Sequence, residues 1–109
     1  MFPGIKILNK YYYNYKNFHN SIEVDYVLGA FIFCTNISIK KLNGFDDRFF
    51  FYGEEVDFCY RFKNELEGKV YYFPGSAITH LHGATALSNL WFKFKNQSIA
   101  KIQFFQKYF

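Results

Sequence analysis

The stretch Gly44–Arg61, GFDDRFFFYGEEVDFCYR, constrains the fold more than any other part of the chain. It gathers five carboxylates (Asp46, Asp47, Glu54, Glu55 and Asp57), more than half of the nine acids, into a chain whose net charge is +4. Gly53 interrupts the aromatic run, and a helical period follows it. With a helix starting at Glu54, residues Glu55, Phe58, Cys59, Phe62 and Leu66 share one face. Glu54, Asp57 and Arg61 fall on another, with Asp57 and Arg61 at the favourable i, i+4 spacing. Apart from Glu55, the first face is apolar. A carboxylate heading such a stripe either reaches solvent at the helix end, where the N-terminal dipole favours anions, or points into a pocket as a site carboxylate. Periodicity alone leaves both readings open.

Composition narrows the function classes. The chain has 109 residues, enough for one small domain or a piece of a larger one. Half of them are hydrophobic and a quarter aromatic, with sixteen Phe and ten Tyr, which excludes a disordered composition. The lysines are scattered rather than blocked, so a solvated surface is the expected role of the positive charge, and no nucleic-acid partner is expected. Cys34 and Cys59 form no C-x-x-C pair, which suits free thiols in a reducing compartment. The opening MFPGIKILNK lacks the apolar core of a signal peptide. The apolar run Tyr26–Cys34 is too short to span a bilayer. A cytoplasmic protein is expected.

Along the chain, Ile5–Leu8 reads as a short strand and residues 9–23 as a tyrosine-rich surface loop. Val24–Cys34 reads as a buried strand, with Gly29 marking a bulge or a close approach. Asn36 caps a short helix that stops at Gly44. The helix beginning at Glu54 ends at Glu67-Gly68. Lys69–Phe73 is a strand closed by the Pro74-Gly75 turn, and Ser76–His82 is extended. From Leu87 onward, Leu87, Leu90, Trp91, Phe94, Ile102, Phe105 and Phe109 recur at helical spacing among Lys93, Lys95, Lys101 and Lys107. This predicts a basic amphipathic helix with a break near Asn96-Gln97-Ser98. It either packs on the domain or attaches to an anionic membrane face or a partner. The pattern suits an α/β or α+β piece.

Two constellations carry possible chemistry. One is the acid group at 54–57. The other is His80-Leu81-His82, whose imidazoles face the same way on a strand and could share a metal such as Mn²⁺, Mg²⁺ or Zn²⁺. No phosphate-binding G-x-x-x-x-G-K-[ST], dinucleotide G-x-G-x-x-G or nucleophile G-x-S-x-G is present. Both cysteines lie in apolar runs, which argues against a thiol nucleophile.

The succession VDYV-x-GAF (24–31), NGFDDRFFFYGEEVDFCYR (43–61) and VYYFPGSAITHLHGAT (70–85) resembles the acceptor-side half of family 2 glycosyltransferases, in particular the rhamnosyltransferase-like enzymes of surface polysaccharide synthesis. The resemblance covers nearly all of residues 24–109. It implies an α/β chain with a partial GT-A fold, a short mixed sheet with flanking helices and a C-terminal amphipathic helix. Residues 1–23 would form an N-terminal strand and loop, 24–86 the acceptor-side catalytic segment and 87–109 the basic helix.

The implied reaction is inverting transfer of a sugar from a nucleotide-diphosphate-sugar donor to a saccharide or lipid-linked saccharide acceptor. By position the resemblance places the general base at Glu55, the acceptor site at Gly29, Ala30, Glu54 and Asp57, and a metal-holding histidine at His80. It implies a divalent cation, Mn²⁺ or Mg²⁺. Attachment through the basic C-terminal helix would put the cytoplasmic protein at the inner face of the membrane as a peripheral one. Two features depart from the family. The chain carries Glu54-Glu55 where Glu-Asp is usual, and no donor-site D-x-D precedes the match. The expectation is therefore a truncated or split glycosyltransferase, inactive alone and poorly soluble, with its N-terminal half either on another chain or absent. The alternative is a non-catalytic remnant or a binding module for saccharide, metal or a membrane surface.

Overall fold

A computed structural model describes residues 18–81 and 90–109 of the chain. They form β1 (Ile22–Val24), α1 (Asn36–Lys41), α2 (Glu54–Glu65), β2 (Val70–Tyr72) and α3 (Leu90–Tyr108). The architecture is a small mixed α/β arrangement of a two-stranded sheet and three helices. The expected strand Ile5–Leu8, most of the tyrosine-rich loop, His82 and the helix start at Leu87 lie outside the described residues.

The sheet is antiparallel rather than mixed, with Ile22 opposite Tyr72, Glu23 opposite Tyr71 and Val24 opposite Val70. The strand expected over Val24–Cys34 is displaced. Pairing ends at Val24, and Gly29 and Ala30 lie in a turn closed by the Phe31 N–H donating to the Leu28 carbonyl at 3.3 Å. The apolar run was read as buried, yet Leu28, Phe31 and Phe33 are exposed. Its β-branched and aromatic content reflects strand propensity, but among the described residues no second strand lies alongside to hold it extended.

Helix α1 begins one residue earlier than expected. The cap is Thr35, whose Oγ1 accepts from the Ser38 N–H at 3.2 Å. It ends as expected around Gly44, whose N–H donates to the Ile39 carbonyl at 2.9 Å, while Asn43 takes the left-handed conformation at φ 55°.

Helix α2 starts at Glu54 as the spacing predicts, but its buried side is wider than the apolar stripe. Asp57, Phe58, Cys59 and Arg61 are all buried. The reason is α3, which packs against the flank expected to face water. Tyr60 meets Phe104 (centroids 5.3 Å apart) and Tyr108 (4.2 Å), while Phe51 meets Phe92 at 5.4 Å.

Helix α3 is continuous through Asn96-Gln97-Ser98. The Asn96 amide donates to the Phe92 carbonyl at 2.8 Å, which satisfies the side chain within the helix instead of breaking it. Its buried residue is Ala100. The ideal Cβ position of Gly53 lies 3.0 Å from the Ala100 Cβ and 3.2 Å from the Phe49 ring. A small residue on each element therefore lets α3 approach the head of α2. Among the described residues the buried apolar set is Val24, Leu42, Phe49, Phe58, Cys59 and Ala100, with many large apolar side chains left outside it.

Candidate functional site

The backbone entering α2 is unusual. Tyr52 and Gly53 have φ of 71° and 88°, two successive left-handed residues, the first bulky and aromatic. Such a conformation costs a non-glycine residue on the order of 1 kcal/mol, and persists only where the surroundings fix it. Here the Tyr52 ring stands edge-on to Phe51 at 4.9 Å, and Gly53 is pinned between Phe49 and Ala100. The turn delivers Glu54 and Glu55 into the first turn of α2, with no side chain capping the helix.

The two glutamates and the Gly29 turn come together. A Cβ at Gly29 would lie 3.6 Å from the Glu55 Cβ and 3.7 Å from Glu54 Oε1. The Oε2 atoms of both Glu54 and Glu55 are buried without a hydrogen-bond partner. Burial pushes the Glu55 carboxyl above its ordinary value, with the neighbouring Glu54 charge adding to the rise and backbone N–H groups at Glu55 and Gly53 opposing it. Three of the residues placed at the site from sequence, Gly29, Glu54 and Glu55, are thus neighbours. Ala30 is the exposed next residue of the same turn. The expectation that Glu54 faces away from Glu55's surroundings does not hold, because the turn at Gly29 folds over both.

Asp57 is elsewhere. It is 0% exposed, and both its oxygens are engaged. Arg61 Nε donates to Oδ2 at 2.7 Å; Lys107 Nζ and the Tyr108 hydroxyl donate to Oδ1, each at 2.5 Å. Arg61 also donates to the carbonyls of Leu42 (2.5 Å) and Gly44 (2.8 Å), tying α2 to the end of α1. Lys107 bridges onward to Asp46 at 2.7 Å, which Arg48 clasps from the other side. Burial alone would raise the Asp57 carboxyl, but the bonds from Lys107, Tyr108 and Arg61 outweigh it and hold it below its ordinary value. The Arg48 hydrogen bond, opposed by burial and aided by Lys107, holds Asp46 far lower than usual. Desolvation would lower Lys107, yet its carboxylate partners raise it. Asp57 therefore joins α2 to α3, with Arg61 extending the group to the end of α1, and its lone pairs are committed to neighbours rather than available to an acceptor.

Lys107 and Tyr108 were not identified as partners of this group from sequence; Lys107 was read only as one of the lysines interspersed along the amphipathic helix. They lie 50 and 51 residues from Asp57, and no local period reports such a pairing.

His80 is exposed on the segment after the Pro74-Gly75 turn. Among the described residues no three His, Cys, Asp or Glu side chains gather as a metal site. Cys59 is buried and its thiol is pushed up by desolvation, which suits a packing role; both cysteines are free. A groove of about 620 Å³ borders the Val56, Tyr60 and Lys63 side of α2 and includes neither Glu54 nor Glu55.

No protein-family model, curated protein or solved structure matches this chain.

Proposed function

We propose that the chain is the acceptor-side segment of an inverting glycosyltransferase of the GT-A type, with Glu55 as the general base that takes the proton from the acceptor hydroxyl. Support comes from the succession of motifs resembling family 2 enzymes, and from one observation above all. At the matching position stands a carboxyl group whose Oε2 is buried and unbonded, at the head of a helix and under a glycine turn. Such a group has a free lone pair, and its raised proton affinity brings it closer to the working range of a base. A saccharide or lipid-linked saccharide hydroxyl would approach Glu55 past the Gly29 turn, which carries no side chain over it.

The nucleotide-diphosphate-sugar donor would bind on a further segment seated against the exposed apolar residues around Phe31 and Phe33, the latter 95% exposed. No step is assigned to a cation, since the described residues do not assemble its ligands. Asp57 is reassigned from acceptor contact to support of α2.

The test is sugar transfer by this chain joined to a donor-binding half. Glu55→Gln should lower turnover by about 10²- to 10⁴-fold, while Glu55→Asp, the residue usual at this position in the family, should retain most of it. Undiminished transfer by Glu55→Gln would sink the assignment. The competing idea of a non-catalytic remnant or binding module predicts no turnover from the joined protein at all.

A further inference from the structure

Helix α3 buries the wrong side for its sequence. The face carrying Phe92, Asn96, Ala100, Phe104 and Lys107 turns inward or lies half-buried, while the apolar stripe of Leu90, Trp91, Phe94, Ile102, Phe105 and Phe109 stands in solvent. Trp91 is 70% exposed and Phe105 61%. The stripe runs the full length of the helix, on the side opposite Ala100 at about 3.6 residues per turn.

The flanking charge says what covers it. Helix α3 contains four lysines and no acid. Lys107 is turned inward to Asp46 and Asp57. Lys95 and Lys101 are exposed and fall on the two shoulders of the stripe, with Lys93 exposed further round. None of these three forms an ion pair with a described residue. A second copy laid along the stripe would bring like charges together, whereas an anionic surface meets both shoulders favourably. Aromatic and aliphatic side chains flanked by lysines are the chemistry of a helix lying in the headgroup region. No helix of the described residues is long and apolar enough to cross a membrane, so the contact is in the plane of the surface.

We infer that α3 is a surface-binding helix for an anionic lipid bilayer, docking through the Leu90–Phe109 stripe. This inference is independent of the sugar-transfer proposal. The charge knot behind it, Asp46–Lys107–Asp57, holds the helix so that the stripe faces outward.

Trp91 is the one tryptophan of the chain and sits on the stripe, so its emission reports docking directly. The full chain would be titrated with vesicles of phosphatidylcholine alone and of phosphatidylcholine mixed with phosphatidylglycerol, with binding followed by co-sedimentation and Trp91 emission. A blue shift and sedimentation with the anionic vesicles, weakened by salt, are expected. Each lysine beside an anionic surface strengthens partitioning roughly fivefold, so Lys95→Gln with Lys101→Gln should weaken it about 25-fold. Phe94→Ser with Phe105→Ser should weaken it at least as much; these exposed positions should leave the circular dichroism spectrum unchanged. Equal binding to neutral and anionic vesicles would overturn the inference, as would no shift with either. A Trp91 emission already blue-shifted without vesicles, in proportion to protein concentration, would overturn it in favour of a second copy.

Discussion

Replacing Asp57 with alanine should be among the most damaging single changes available in this chain. The side chain is wholly buried and accepts bonds from Arg61, Lys107 and Tyr108. Removing one partner of a buried ion pair typically costs about 3–5 kcal/mol, because an uncompensated charge is left behind. Here both cations keep other acceptors, Arg61 the carbonyls of Leu42 and Gly44 and Lys107 the Asp46 carboxylate, so the low end applies. The stranded Tyr108 hydroxyl adds roughly 1 kcal/mol. The total, about 3–4 kcal/mol, is a large part of the roughly 5–15 kcal/mol that holds a domain of this size. With a urea dependence near 2 kcal/mol per molar, the unfolding midpoint should fall by about 1.5–2 M. Far-UV circular dichroism would follow the transition in Asp57→Ala, Lys107→Met and the double variant. The double variant should lose clearly less than the sum of the singles, since the two residues share one interaction. A midpoint shift below about 0.3 M, or strict additivity, would refute the claim that this group docks α3.

Four further outcomes can be checked. Glu55→Gln should leave stability equal or slightly higher, since it replaces a desolvated acid by a neutral amide; a clearly lower urea midpoint would contradict the burial argument. The pH dependence of stability should have opposite contributions. Asp46 and Asp57, held below their ordinary value of 3.8, stabilise the fold above that value and lose this as pH falls through their folded values. Lys107, raised above 10.5, stabilises it below that value and loses this as pH rises through its folded value. Glu55, raised above 4.5, destabilises it progressively as pH climbs past that value, so midpoints measured against pH should rise less steeply in the parent than in Glu55→Gln. Gly53→Ala should cost about 2–3 kcal/mol, from the left-handed backbone and from crowding against Ala100 and Phe49, whereas Gly29→Ala, with its nearest neighbour at 3.6 Å, should be tolerated within about 0.5 kcal/mol; parallel urea titrations separate the two. The isolated chain should self-associate through the exposed apolar residues around Phe31 and Phe33 unless a further segment covers them, and analytical ultracentrifugation showing a monodisperse monomer would count against the proposed missing half.

Several elements were legible before any coordinates. The start of α2 at Glu54 follows from Gly53, the acid-rich first turn and the apolar period, all local signals. The end of α1 near Asn43-Gly44 and the strand at Val70–Tyr72 were legible for the same reason. The neighbourhood of Gly29 and Glu55 was placed by resemblance. The strand expected over Val24–Cys34 was not realised, because an extended segment needs a neighbour to bond with and none of the described residues supplies one beyond Val24. Apolar content could not distinguish a run buried in a sheet from one left exposed in a loop.

Helix α3 illustrates the division between the two levels. That it is helical, basic and apolar on one side is written in residues three and four apart, because backbone geometry turns that spacing into a face. Which side packs inward depended on a partner: the Asp57 carboxylate needed compensating charge, Lys107 and Tyr108 supplied it from the far end of the chain, and Ala100 was small enough to let the helix close over Gly53. Satisfying a buried charge set the rotation of the helix, against what its hydrophobic stripe alone would favour. Local periodicity fixes what a helix offers, and only the assembled fold decides which of its faces is used, because the free energy of a buried ion pair exists only once both partners are in place.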